Sequence, residues 1–310
     1  MGFAPQLVDI NGDGLKDIIS GSYCGDAPQP EGHTGHIVPV KDENGKPVSE
    51  IFAYYRQIDG TYADRVHVAI SHIHSACSPV DWDGDGDFDL ITAARIVLDK
   101  SSGLGLINLM ENIGSRTEPR FARPMNLLEG LEIKTAITSA EAFDWDGDGL
   151  LDLLAGTEWG DILWFRNEGT AEACRFAEPT VLKEGSKSSK AEKPWGNRLA
   201  IFVTDWDGDG VYDIIAGDAR TEDITERFIK EEDRPEYEQL KAKVDEYSSK
   251  VSALYEGKNY RRMNAKERAE LTKAAQKIRE EYRPYTTPYY RKFYKTRSHG
   301  YVWIFRGIRE

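Results

Sequence analysis

Four short segments carry most of the chemistry in this 310-residue chain. They read DINGDGLKD from Asp9, DWDGDGDFD from Asp81, DWDGDGLLD from Asp144 and DWDGDGVYD from Asp205. Each offers side-chain oxygen at its first, third, fifth and ninth positions. These are Asp9, Asn11, Asp13 and Asp17; Asp81, Asp83, Asp85 and Asp89; Asp144, Asp146, Asp148 and Asp152; and Asp205, Asp207, Asp209 and Asp213. The seventh residue, Leu15, Asp87, Leu150 or Val211, would add a backbone carbonyl. Glycines at the fourth and sixth positions let the chain curl where a side chain would obstruct it. Hard oxygen donors without His or Cys select calcium over zinc or copper. Carboxylates crowded this closely repel one another unless a cation sits among them. Up to four calcium ions are expected, and their +8 would take the formal charge from −13 to −5.

The EF-hand shares the first half of this pattern but needs a bidentate Glu at its twelfth position. That position holds Ser20, Thr92, Ala155 or Ala216, and each loop runs directly into a strand-like segment. The EF-hand reading therefore fails.

The elements that would position the loops repeat with them. Loop starts are spaced by 72, 63 and 61 residues, from 9 to 81, 144 and 205. An apolar stretch precedes each loop, and IISG, LITAA, LLAGT or IIAGD comes after it. A strand with a large apolar end recurs as FAYYRQ, INLMEN, ILWFRN and VWIFRG. Another recurs as TYADRVHV, RFARPMNL and RFAEPTVL. Four short strands per unit predict an all-β chain of β-propeller blades, the fourth lacking its last strand. Trp82, Trp145 and Trp206, at the second loop position, are expected to pack between blades.

The connections between second and third strands fall on one face, opposite the metal loops. The longest lies between residues 218 and 299. Within it, Tyr237, Leu240, Val244, Tyr247, Val251 and Leu254 form a helical stripe opened by Pro235. A second helix is expected from Asn264, with Glu267 completing a capping box, and is expected to end before Pro284. The organisation read from these patterns is blades over 1–220, a helical hairpin over 221–298 and a returning strand over 299–310. Residues 258–297 hold thirteen Lys/Arg and four Glu, a local +9 in an acidic chain. The Tyr-rich basic run from Arg283 to Arg297 either docks the hairpin or holds an anionic polymer.

The loops resemble the FG-GAP/VCBS repeats of integrin-alpha-type propellers and their secreted bacterial relatives. The D-x-[DN]-G-D-G-x-x-D pattern with its apolar strand carries the resemblance, over residues 3–220 and 300–306. It implies a calcium-binding propeller that is extracellular or at the cell surface; the expected partner is a glycan, an anionic one included, or a protein. No nucleic-acid partner is expected, and no apolar run is long enough to span a membrane. MGFAPQLVDING shows no signal-peptide pattern.

Besides a purely structural module of a larger secreted protein, the other reading is an enzyme of the polysaccharide lyase or sugar dehydratase kind. Its site would lie at the channel mouth near His72, His74, Arg95, Trp159 and Arg198. No nucleophile elbow, phosphate loop or HExxH motif accompanies them, so the non-catalytic reading is preferred. Cys24, Cys77 and Cys174 have no metal-ribbon spacing and leave room for one bridge and one free thiol.

Overall fold

A computed structural model describes residues 2–22, 49–64, 66–71, 76–97, 103–133, 135–185, 196–256 and 263–307. The chain divides into two units, Met1–Arg220 with Gly300–Glu310, and Thr221–His299.

Four consecutive four-stranded sheets run along the chain. The first contains β1 (Gly2–Val8), β2 (Asp17–Ser22), β3 (Ser49–Tyr54) and β4 (Val66–Ser71). The second contains β5 (Ala76–Val80), β6 (Asp89–Val97), β7 (Gly103–Met110) and β8 (Met125–Asn126). The third contains β9 (Ile137–Phe143), β10 (Asp152–Thr157), β11 (Ile162–Phe165) and β12 (Thr180–Lys183). In these three sheets, strands adjacent in sequence pair antiparallel. The fourth sheet has β13 (Asn197–Thr204) beside the long β14 (Asp213–Asp223). β15 (Thr296–His299) and β16 (Val302–Phe305) both join β14.

β16 takes the place that β3, β7 and β11 hold in the other sheets, and no strand lies outside it among the described residues. The missing last strand agrees with the repeat pattern. β15 was not anticipated, because TRSH lacks the apolar alternation that marks a half-buried strand. Tyr62, Phe121 and Phe176 sit in isolated bridges just ahead of the fourth strands, opposite Arg56, Asn112 and Asn167.

The sheets stack through shared apolar clusters. Val8, Ile10 and Ile19 pack with Cys77, Leu90 and Met110 between the first and second sheets. Ile91, Ile107, Ile137, Leu153 and Phe165 do so between the second and third. Leu154, Ile162, Leu199, Ile201 and Ile214 do so between the third and fourth. The second loop position contributes at each junction, through Ile10, Trp82 and Trp145. Trp206 is the exception, being 58% exposed, so the expectation of inter-blade packing fails there. A neighbouring sheet covers its counterparts, and none covers Trp206 among the described residues.

Close backbone approach tightens the last junction. Ser139 donates through Oγ to the Leu199 carbonyl at 2.9 Å and accepts from the Ile201 N–H at 2.9 Å. A Cβ on Gly156 would stand 2.5 Å from the Leu199 oxygen. Only glycine allows this contact.

One half-buried acid lies on the first strands. Gln6, Ser78 and Glu141 each stand three residues before their loop's first Asp. Ser78 Oγ donates to Glu141 Oε2 at 2.7 Å, and Gln6 Nε2 to Oε1 at 3.3 Å. Burial raises the Glu141 carboxyl from 4.5 to about 7, against the smaller pull of the Ser78 hydrogen bond. Phe202 fills the equivalent place in the fourth sheet.

In the second unit, α1 (Arg234–Tyr255) pairs with α2 (Ala265–Lys292). Pro235 lies in the first turn of α1, and the Asn264–Glu267 capping box is formed. The expected end before Pro284 is overturned, since α2 runs through Pro284 and Pro288. Each interior proline costs a helix about 3 kcal/mol. The added turns bury Tyr289 and Phe293 against Tyr237 and Val244. Such burial returns roughly 1.5–3 kcal/mol per large apolar side chain. Tertiary packing therefore offsets much of the cost of the local stop signal, and α2 continues through both prolines.

Among the described residues Cys77 and Cys174 are free, so they do not bridge each other; Cys24 lies outside those residues.

The sheet packing has two measurable outcomes. Gly156→Ala should cost about 1–3 kcal/mol in urea denaturation, because the third and fourth sheets must part to admit the methyl; a neutral result would refute the close approach. Glu141 has its folded pKa raised, so the folded chain holds an extra proton between about 4.5 and about 7. Stability should fall as pH rises through that window. Glu141→Gln should flatten this slope in melting curves and raise the midpoint at pH 8.

Candidate metal centres

Each Asp-rich loop closes the turn between the first and second strands of its sheet. The register is the same four times, with Val8 opposite Asp17, Val80 opposite Asp89, Phe143 opposite Asp152 and Thr204 opposite Asp213. The fourth and sixth residues have positive φ, 71° and 86° in the first loop and 76° and 90° in the third. This left-handed backbone is readily open to glycine alone.

The first-position Asp holds the curl from inside. Asp144 accepts from Gly147 N–H at 2.8 Å and Gly149 N–H at 3.0 Å. Asp205 accepts from Gly208 at 2.8 Å and Gly210 at 2.9 Å. The fifth-position Asp accepts the seventh-position N–H at 2.8 Å in Leu15 and Val211, 2.9 Å in Asp87 and 3.0 Å in Leu150. The seventh-position carbonyl is not used by these bonds.

The ninth-position Asp has a different task. One oxygen accepts the N–H of the second loop residue, and the other accepts an N–H beyond the third strand. Asp17 thus binds Ile10 at 3.2 Å and Arg56 at 2.8 Å. Asp89 binds Trp82 at 3.0 Å and Asn112 at 2.7 Å. Asp152 binds Trp145 at 3.3 Å and Asn167 at 2.7 Å, with Trp164 Nε1 added at 2.9 Å. Asp213 binds Trp206 at 3.1 Å and Gly307 at 2.9 Å. All four are buried. Burial pushes the Asp17, Asp89 and Asp152 carboxyls up, neighbouring carboxylates add to this, and the N–H bonds oppose it. A carboxylate has about four acceptor sites, so lone pairs remain for an ion.

The first, third and fifth positions converge. Asp81, Asp83 and Asp85 bring carboxylate oxygens within 4.8 Å of one another, as do Asp144, Asp146 and Asp148, and Asp205, Asp207 and Asp209. Unit charges at that distance repel by about 1 kcal/mol per pair even in water-like surroundings. In the first loop Asn11 replaces one carboxylate, and Asp9 Oδ1 is buried with no hydrogen-bond partner. An orphaned carboxylate oxygen beside Asn and Asp donors fits a hard cation.

Arginines sit against several loops. Arg166 meets Asp146 at 2.7 Å and Asp148 at 3.3 Å, and Arg306 meets Asp207 at 2.6 Å. Arg116 lies 3.9 Å from Asp9 and donates to the Gly86 carbonyl at 2.9 Å. The second loop's unit carries Glu111 at the sequence position equivalent to Arg166. Sequence spacing does not reveal these partners, because each comes from a strand or turn remote from the loop.

Of the enzyme candidates, Arg95, Trp159 and Arg198 lie on described residues. His72 and His74 lie outside those residues. Arg95 is on β6, its backbone paired with Gly105. Arg198 has a left-handed φ of 57° and an ion pair with Glu158 at 3.6 Å. Its N–H also donates to the Glu158 carbonyl at 3.0 Å, so Arg198 ties β13 to the turn after β10.

The two Asp roles separate experimentally. Asp89→Ala leaves the buried Trp82 and Asn112 N–H groups unpaired, at roughly 1–3 kcal/mol each. It should destabilise the chain with or without chelator. Asp83→Asn should leave chelated stability within ~0.5 kcal/mol and reduce only the gain on adding calcium. Equal losses from both variants in urea titrations would refute this division.

A search of the curated proteins found no match. The family model described as FG-GAP-like repeat matches residues 144–216, from the start of the third loop into β14. Its span takes in both of the last two Asp-rich loops and most of the third sheet, and it ends within the β13–β14 hairpin. Residues 144–216 are therefore similar to an FG-GAP-like repeat.

Proposed function

We propose that the chain is a calcium-stabilised β-propeller module that recognises a glycan or protein outside the cell. The observation that carries the calcium reading is the convergence of three carboxylates in each of three successive loops. In each loop the first, third, fifth and ninth side chains and the seventh carbonyl would hold the ion. Bound calcium supplies charge neutralisation and cross-links the turn; it is given no catalytic part.

The recognition reading rests on where the long connections lie. The loops occupy one end of every sheet, so antiparallel pairing sends the second-to-third connections to the other end. Residues 23–48 and the whole second unit are inserted at such connections. Long connections on a rigid scaffold commonly carry binding function. No helix among the described residues is long and apolar enough to cross a membrane.

Elemental analysis of the purified chain should find calcium, and a chelator should lower its melting temperature. Binding to the folded state alone gives about 2.7 kcal/mol per site at a hundredfold excess over Kd. A metal-free protein whose melting ignores both calcium and chelator would sink the calcium reading. For recognition, turnover of a polysaccharide to unsaturated products by the calcium-loaded chain would replace it with the enzyme reading.

A further inference from the structure

The second unit carries a cationic groove that the calcium reading does not use. Arg279, Arg283, Thr287 and Arg291 recur every four residues along α2, so they share one helix face. With Tyr290 from α2 and Tyr247 from α1 they line a groove of about 630 Å³. That volume lies within the range of about 300–1,000 Å³ typical of small-molecule sites.

The charges in this groove are poorly compensated. Glu280 is its only lining acid among the described residues, 3.6 Å from Arg283. The side chains of Arg279 and Arg291 make no hydrogen bond or ion pair among the described residues. Lys241, Lys243 and Lys292 of the same unit are by contrast matched locally, with Asp245 at 2.7 Å, Glu246 at 2.9 Å and Asp233 at 2.8 Å. Like charges four residues apart, such as Arg279 and Arg283, destabilise a helix. A bound anion would reverse that cost.

We propose that this groove binds a sulfate or phosphate ester carried on a sugar. Guanidinium groups present paired donors that match tetrahedral oxyanions and do not lose their charge. The Thr287 and tyrosine hydroxyls supply neutral donors and acceptors for sugar hydroxyls. The rings of Tyr247 and Tyr290 offer apolar surface with a polar tip, suited to the apolar face of a saccharide. The groove lies wholly in the second unit, so the inference does not depend on calcium in the loops.

The test uses the full chain with calcium present. Binding is measured to a heparin-derived hexasaccharide, the same hexasaccharide after desulfation, a phosphorylated trisaccharide and a phosphoserine peptide. R279Q/R291Q is compared with K273Q/K277Q, which removes the same charge from α2 outside the groove. The sulfated or the phosphorylated sugar should bind, and whichever binds tighter identifies the ester. R279Q/R291Q should weaken that binding at least about tenfold, the loss expected when charge-assisted hydrogen bonds are removed. K273Q/K277Q should change it less than about threefold, as expected of screened surface charge. Equal binding of the desulfated sugar, equal losses in both variants, tighter binding of the phosphopeptide or no binding of any probe would overturn the proposal. Both variants change exposed residues, and an unchanged helical signal by circular dichroism checks that they fold. Chelator melting reads the loops separately, so failure here leaves the calcium reading standing.

Discussion

The first unit depends on one carboxylate in each loop. Asp17, Asp89, Asp152 and Asp213 each accept one N–H from within the loop and another from beyond the third strand. That pair of bonds joins three strands of a sheet through a single buried side chain. It also sets the curl of the loop, because the second residue is held where the strand ends. The first, third and fifth side chains are thereby turned toward one another. The crowding that makes a cation favourable is thus a product of the same bonds that close the hairpin.

Stacking extends this unit along the chain. The second loop residue lies beside the N–H that the ninth Asp holds, and it fills the junction with the next sheet. Ile10, Trp82 and Trp145 are partly or fully covered in that way. Trp206 has the same backbone tie but stays exposed. Covering the indole therefore needs a neighbouring sheet, whereas shaping the loop does not. Gly156 and Ser139 show how closely the sheets approach, with backbone of one touching side chain of the other.

The second unit is built on other terms. Its helices hold together through an aromatic cluster of Tyr237, Tyr289 and Phe293, with Val244 beside them. Tyr237 and Tyr289 stack at 5.9 Å, and Phe293 meets Tyr237 edge-on at 5.6 Å. That cluster uses the buried side of α2 and leaves Arg279, Arg283 and Arg291 on an exposed one. The Tyr-rich basic run thus divides by face: some of its rings make the core, while Arg283, Arg291 and Tyr290 line a groove.

The repeat, the loops, most of the strand order and the two helices were legible in the residues alone. Those features are written in local chemistry: glycine where φ must be positive, Asp at alternate positions, apolar runs of strand length, and a capping box at Asn264. That no outer strand follows β16 among the described residues was legible too, because periodicity can be counted. Other features emerged only on folding: the ninth Asp as a backbone staple, Arg166 and Arg306 reaching their loops, and Glu141 meeting Ser78 and Gln6. Most of these partners lie tens of residues apart, and no local pattern encodes their distance. The same holds for α2, where Pro284 is a clear local stop and burial of Tyr289 and Phe293 offsets much of its cost. Sequence reports what each segment favours alone; burial between remote segments settles which preferences survive.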